Sequence, residues 1–173
     1  MALHFDAYAP VSRYPPDLRA WLDRGADVNE WDISALAEDV RRLRRGEPVT
    51  PPGMAPVGPG GLILLEHPLG RLHSEMGELI DLAVHVDLPL DLLLVRRLTR
   101  LLHEEGGAQD PELWRRLAGH LDMYNAVGRD LSLDAHERLL KSSDLVLDGR
   151  ASVDALTEAV RQEIDRRRSA GRL

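Results

Sequence analysis

The stretch Leu82-Ala-Val-His-Val-Asp87, followed by Pro89 and an apolar run to about His103, indicates the fold class of this chain. A short apolar run without alternation is typical of a strand buried on both faces of a parallel sheet. Proline favours the first turn of a helix, because its missing N–H has no helical partner there. The stretch therefore predicts a strand, a tight turn and a long helix.

That helix is predicted to have two distinct faces. The face toward the core carries Leu94, Leu98, Leu101 and Leu102. Another face carries three arginines, Arg96, Arg97 and Arg100. An arginine face of this kind is either a solvated surface or a site that binds phosphate through paired N–H donors. Both interpretations stay open at this level.

Three further apolar runs are predicted to form strands, namely Ala2-Leu-His-Phe5, Leu62-Ile-Leu-Leu65 and Leu145-Val-Leu147 within the stretch from Asp144 to Asp148. Because helical segments separate these runs, we expect a parallel α/β sheet with helices on its faces. Ligands of such sheets bind outside the carboxyl ends of the strands. Asp6, Glu66 and Asp87 follow strands directly, so an acidic rim is expected there. Asp87 is interpreted as the cap of the helix near Pro89 rather than as a metal ligand.

The other helices are predicted from their first residues, because Asp and Ser side chains accept the unpaired N–H groups of a first turn. These N-caps are Asp32, Asp110 and Ser152. A further two-turn helix is predicted from Asp17 to Asp23, with Pro16 near its first position and Gly25 just past its end. The helix after Asp32 has an apolar face of Ile33, Leu36, Val40 and Leu43 and stops at Gly46.

Length and composition restrict the class of protein. A chain of 173 residues is expected to form one domain, residues 1–173. The net charge of −7 argues against binding nucleic acid through phosphate neutralisation. The absence of cysteine excludes disulfides and thiolate chemistry. No signal peptide or membrane span is found, so a cytoplasmic protein with no membrane partner is expected.

The order of these landmarks resembles the uridine-kinase-like P-loop kinases of small molecules. The most specific match runs from Asp87 to Arg100. His4-Phe-Asp-Ala-Tyr8 resembles the strand-end Asp-x-aromatic of that family, and Asn29-Glu-Trp-Asp32 is similar to its Asp-Ala-Phe-Asp stretch. Leu62 to Glu66 resembles the strand whose Glu lies near the metal. The resemblance implies a P-loop-kinase-like parallel sheet with flanking helices.

The resemblance also implies roles for individual residues. Asp6 would be the base for the acceptor hydroxyl, and Glu66 would help to place Mg²⁺ beside ATP. The arginines Arg96, Arg97 and Arg100 would stabilise the charge of the transferred phosphoryl group. Substrate contacts are expected from Tyr8, Arg71 and His73, although a packed aromatic is the commoner outcome for Tyr8. The seven histidines show no helix-spaced pair, so no histidine-ligated metal is expected.

The chain departs from the family pattern in three local features. Leu93 stands where many relatives have Arg, and His67 follows Glu66 where they usually have Gly. Glu104-Glu-Gly-Gly107 replaces an Arg-bearing lid segment. These differences affect the expected acceptor more than the fold, since substrate choice depends on loops.

The largest departure is the phosphate-binding loop. No Gly-x-x-x-x-Gly-Lys-Ser/Thr motif occurs, and Lys141, which is the only lysine, has no glycine in the six residues before it. The family begins with a strand, this loop and a helix, and that first strand lies in the centre of the sheet. Residues 1–173 are therefore expected to lack the central strand and to be inactive alone. We expect the natural protein to start before Met1.

Three arrangements would provide hydrogen-bond partners for the backbone groups of the two strands that would flank the missing central strand. The strands at Leu62 and Leu82 pair with each other, a second copy or a partner chain fills the central slot, or an upstream segment does so. The leading function is an ATP-dependent phosphotransferase that acts on the hydroxyl of a nucleoside or similar small metabolite. The alternative is a non-catalytic kinase-fold module for binding or dimerisation.

Overall fold

The computed structural model describes residues 1–104 and 111–172. Most of the segment that replaces the lid, and the expected cap Asp110, lie outside the described residues. The chain separates into two compact units. The first unit is Met1–Ala83 with Lys141–Ser143, and the second is Val84–Leu140 with Asp144–Leu173.

The first unit combines a small parallel sheet with short helices. Its strands and α-helices, in chain order, are β1 (Ala2–His4), α1 (Phe5–Tyr8), α2 (Leu18–Asp23), α3 (Ser34–Arg44), β2 (Leu64–Glu66) and α4 (Ser74–Gly77). Single 3₁₀ turns form at Ala9–Val11 and Val28–Glu30. β1 and β2 are parallel, with Leu3 opposite Leu65 and His4 opposite Glu66.

The core of this unit is built around α3. The apolar face predicted for this helix is confirmed, since all four residues are buried: Ile33, Leu36, Val40 and Leu43. Leu3 of β1 and Met76 of α4 are buried in the same cluster. Gly46 ends the helix region with φ +81°, a left-handed conformation that glycine adopts without a Cβ penalty.

The second unit contains the strand and helix predicted from residues 82–103. Its elements are β3 (Val84–Asp87), α5 (Leu90–Glu104), α6 (Pro111–Met123), a π-helical segment (Tyr124–Gly128), α7 (Arg129–Ser142), β4 (Leu145–Asp148) and α8 (Val153–Ser169). β3 and β4 are parallel, with Val84 opposite Leu145 and Asp87 opposite Asp148. Helix α7 was not predicted, because its apolar residues do not form a regular stripe.

The α/β class with parallel strands is therefore confirmed. Each strand has one hydrogen-bonded partner within residues 1–104 and 111–172. The prediction that the strands are buried on both faces is wrong: Leu64 is 52% exposed, Val86 51% and Val146 43%. Each of these side chains lies on the more exposed face of its strand, since its neighbours on the other face are less exposed.

Candidate functional site

Two carboxylates lie at the ends of the adjacent parallel strands of the first unit. β1 ends at His4, whose register partner on β2 is Glu66. Asp6 follows two residues later in α1, and both carboxylates are exposed. The structure thus brings Asp6 and Glu66 to one edge of one sheet, at the carboxyl ends of its strands, as the strand pattern predicted.

His67, directly after Glu66, packs beside the start of α1. Its ring lies edge-on to Phe5, with centroids 5.1 Å apart. The backbone N–H of Leu69 donates to His67 Nδ1 at 3.2 Å, so the ring proton belongs on Nε2. Nε2 is buried and has no hydrogen-bond partner in the described part of the chain. Burial, with a smaller contribution from His73, lowers the pKa of His67 to about 4.

Aromatic rings surround this position. We call Phe5, Tyr14, Trp31 and His67 the ring cluster. Tyr14 and Trp31 meet edge to face at 4.9 Å, and the Phe5 and Trp31 centroids are 6.2 Å apart. Tyr14 remains 36% exposed. Among the described residues, Trp31 Nε1 is a second buried donor without a partner. The cluster therefore combines flat apolar faces with unsatisfied N–H groups.

The residues proposed as substrate contacts are tied to the protein itself. Tyr8 is fully buried, and its hydroxyl donates to Asp39 Oδ2 at 2.7 Å. Burial and this carboxylate raise the pKa of Tyr8. His73 is 5% exposed, and its Nε2 donates to the carbonyl of Trp31 at 3.0 Å. For Tyr8 this favours the packed-aromatic alternative.

Arg71 also has backbone partners. Its guanidinium donates to the carbonyl of Ile80 at 3.0 and 3.1 Å and to that of Asp81 at 2.9 Å. These bonds connect the loop after β2 to the segment before β3. Arg71 therefore stabilises the local backbone in this structure, whatever contact it makes with a substrate.

The three arginines on α5 belong to the second unit. Arg96, Arg97 and Arg100 are exposed, as the helix pattern predicted. Arg96 donates through Nη1 to the carbonyl of Gly149 at 2.9 Å, which ties it to the turn after β4. Asp6 and Glu66 lie in the first unit.

Sequence reasoning missed the ring cluster as a unit. In the sequence, His67 departs from the family pattern, and Trp31 belongs to the stretch from Asn29 to Asp32 that is similar to the family. Nothing in the sequence around Tyr14 indicates that it belongs to the ring cluster, because the other rings of the cluster are distant from it in the chain. The sequence feature that could have indicated this cluster is His67, which directly follows the strand-end carboxylate Glu66.

No described helix has both the length and the apolar character needed to cross a membrane.

Comparison with known proteins confirms the resemblance to uridine kinases. The chain is 28% identical over 130 residues to the uridine kinase of Haemophilus influenzae (strain PittGG), which covers 69% of this chain. It is 26% identical over 154 residues to the uridine kinase of Pasteurella multocida, covering 80% of this chain and 68% of that protein. A match to the uridine kinase of Chlamydia pneumoniae has 25% identity and covers 91% of this chain and 72% of that protein.

The matched region is only part of some relatives. The chain spans 57% of the length of the Haemophilus influenzae protein. No protein-family model matches the chain. The resemblance therefore rests on the individual relatives.

Proposed function

We propose that this chain carries the acceptor side of an ATP-dependent phosphotransferase that acts on the hydroxyl of a nucleoside or similar small metabolite. The observation that supports it is the position of Asp6 and Glu66 at the ends of the adjacent parallel strands, beside the ring cluster. The similarity to uridine kinases supports the choice of a nucleoside.

Asp6 is proposed to orient the acceptor hydroxyl and accept its proton. An exposed carboxylate next to the strand end is accessible to a small acceptor, and positioned bases contribute about 10²–10⁴-fold to proton-transfer steps. Glu66 is proposed to help hold Mg²⁺, since carboxylate oxygens are the ligands this ion prefers. The donor types at this edge therefore fit the ion.

The ring cluster is proposed to receive the flat part of the acceptor. Aromatic rings favour stacked or edge-to-face partners. The buried N–H groups of His67 and Trp31 lack partners among the described residues, and such groups cost about 1–3 kcal/mol each when unsatisfied. A base carbonyl that accepts one of them would gain affinity and selectivity.

Binding of the phosphate donor in the usual way requires a glycine-rich loop with a lysine, and residues 1–173 contain no such loop. ATP–Mg²⁺ would provide the phosphoryl group, and Arg96, Arg97 and Arg100 are proposed to neutralise charge that develops on it. No glycine-rich loop with lysine is present in the sequence to hold the β- and γ-phosphates. We therefore expect transfer only when such a loop is supplied, and none from residues 1–173 alone.

The test begins with the protein purified from its own cells. Its intact mass is compared with the 19.3 kDa of these 173 residues. A larger protein that phosphorylates uridine or another small acceptor supports the proposal. In that protein Asp6→Asn should lower kcat by at least about 100-fold. Asp23→Asn, which removes an exposed carboxylate paired with Arg19, is the control and should leave kcat unchanged. An Asp6→Asn protein with full activity would contradict the role of Asp6.

A second candidate is a non-catalytic module that binds another copy of this chain. The exposed apolar strand residues Leu64, Val86 and Val146 favour it. Light scattering on the 173-residue protein gives its mass in solution. A stable dimer whose thermal transition is unchanged by ATP–Mg²⁺ would support the module. A monomer stabilised by ATP–Mg²⁺ would contradict this candidate and the expectation that ATP binding needs a supplied loop.

A further inference from the structure

Three side chains of metal-ligating types converge in the second unit. His85 and Asp87 are alternate residues of β3, so they point to the same face of the strand. His136 of α7 meets them there. His136 Nδ1 is 3.8 Å from Asp87 Oδ1, and the two imidazole centroids are 5.5 Å apart. One ligand atom from each residue lies within 4.8 Å of the others.

We propose that His85, Asp87 and His136 bind a divalent first-row transition-metal ion of the Zn²⁺ class. The proposal is independent of the phosphotransferase function, because it uses none of the residues assigned to that function.

The distances are close to those of a metal site. Ligand atoms that lie about 2.1 Å from Zn²⁺ are about 3.4 Å apart in tetrahedral geometry. The separation between His136 Nδ1 and Asp87 Oδ1 is near this value. All three ligand atoms lie within 4.8 Å of one another, which exceeds the tetrahedral separation by at most about 1.4 Å. A change of histidine rotamer can close a difference of this size.

The donor types select the class of ion. Two imidazole nitrogens and one carboxylate suit Zn²⁺, Co²⁺, Ni²⁺ or Fe²⁺, whereas Mg²⁺ and Ca²⁺ prefer oxygen ligands alone. His85 Nε2 is buried and has no hydrogen-bond partner among the described residues, so an ion there would replace a missing interaction.

The site has room for further ligands. Asp87 and His136 both line a cavity of about 520 Å³ in this unit. Arg150 lines it too, but its guanidinium is paired with Asp148 at 2.8 and 2.9 Å, which offsets its repulsion of a cation. Water from the cavity can complete the coordination, as in sites with three protein ligands.

Sequence reasoning did not find this site because it searched for histidine pairs on one helix. His85 belongs to strand β3 and His136 to helix α7. The two residues are 51 positions apart in the sequence. Only the packing of α7 against β3 brings them together.

The experiment titrates the metal-free 173-residue protein with Co²⁺ and Zn²⁺. We expect one equivalent of Co²⁺ to produce the visible absorption of a low-symmetry site, and Zn²⁺ to displace it. His136→Gln and Asp87→Asn should each weaken Zn²⁺ binding at least about tenfold, since even outer partners of metal ligands have effects of 10–100-fold. His103→Gln, which changes an exposed histidine of α5, is the matched control and should bind like the wild type.

Thermal unfolding provides the second readout. Zn²⁺ should raise the Tm of the wild type and of His103→Gln, and should not raise that of His136→Gln. If His85→Gln fails to fold, the partly exposed His136 still permits the test. The proposal is overturned if no ion binds stoichiometrically, if the ligand variants bind Zn²⁺ as tightly as the wild type, or if Mg²⁺ binds in place of Zn²⁺.

Discussion

The imidazole of His67 lies edge-on against the ring of Phe5, with centroids 5.1 Å apart and planes at 87°. This contact places the first residue after β2 against the first residue of α1. It joins the two strand ends that carry Glu66 and Asp6. The same burial keeps His67 uncharged, which has a measurable consequence for stability.

The pKa of His67 is lowered from 6.5 to about 4 in the folded protein. Between these values the unfolded chain binds a proton that the folded protein does not. The free energy of unfolding should therefore fall as the pH decreases through this window, by up to about 3 kcal/mol from this group. Urea unfolding of the wild type and His67→Gln between about pH 7 and about pH 4 measures the difference.

Carboxyl groups elsewhere in the chain titrate in the same pH range. The difference between the wild type and His67→Gln therefore isolates the contribution of His67. Identical slopes for the wild type and His67→Gln would show that His67 is not protected from protonation.

Tyr8→Phe removes the hydroxyl that donates to Asp39 at 2.7 Å. We expect a loss of about 1 kcal/mol in the free energy of unfolding, because one hydrogen bond to a charged acceptor disappears while the ring stays packed. Tyr14→Phe, at a ring 36% exposed, is the control and should change stability little. A large rise in KM for the acceptor with no loss of stability would instead support a substrate contact by Tyr8.

Arg71→Lys tests the backbone role of this guanidinium. Lysine cannot reproduce the forked donation to the carbonyls of Ile80 and Asp81, so we expect a loss of about 1–2 kcal/mol in chemical denaturation. Arg19→Lys changes an exposed arginine that lies 3.8 Å from Asp23 and should alter stability by less than about 0.5 kcal/mol. Equal stabilities for Arg71→Lys and the wild type would contradict this backbone role of Arg71.

Gly149 allows no side chain where the turn after β4 passes β3. Its N–H donates to the carbonyl oxygen of Asp87 at 2.7 Å, and an added Cβ would lie 2.8 Å from that oxygen. Gly149→Ala should therefore cost about 1–3 kcal/mol, because backbone atoms must move.

At Gly119, in contrast to Gly149, we expect a substitution by alanine to stabilise the protein. Gly119 lies in α6, and an added Cβ meets nothing within 4 Å among the described residues. Gly119→Ala should stabilise the protein by about 0.5–1 kcal/mol through helix propensity. Thermal or urea unfolding of the two variants measures the contrast. A neutral Gly149→Ala would show that the turn relaxes freely.

Local signals in the sequence were sufficient to predict most helices and several of their first residues. Ser152 accepts the N–H of Ala155 at 3.2 Å, as its cap position predicted. The short helix predicted near Asp17 also forms, and Asp17 itself caps it by accepting the N–H of Ala20 at 2.9 Å. These interactions span three residues. They can therefore be predicted from the sequence alone, and the same holds for the apolar face of α3.

The sequence by itself also determined the parallel α/β class, the positions of Asp6 and Glu66 at strand ends, and the resemblance to uridine kinases. Tertiary structure decided the side-chain environments. It buried Tyr8 against Asp39, assembled the ring cluster, exposed the strand residues expected in the core, and brought His85 to His136. The reason is physical: caps and periodicity act within a few residues, whereas these contacts depend on how elements distant in the chain pack together.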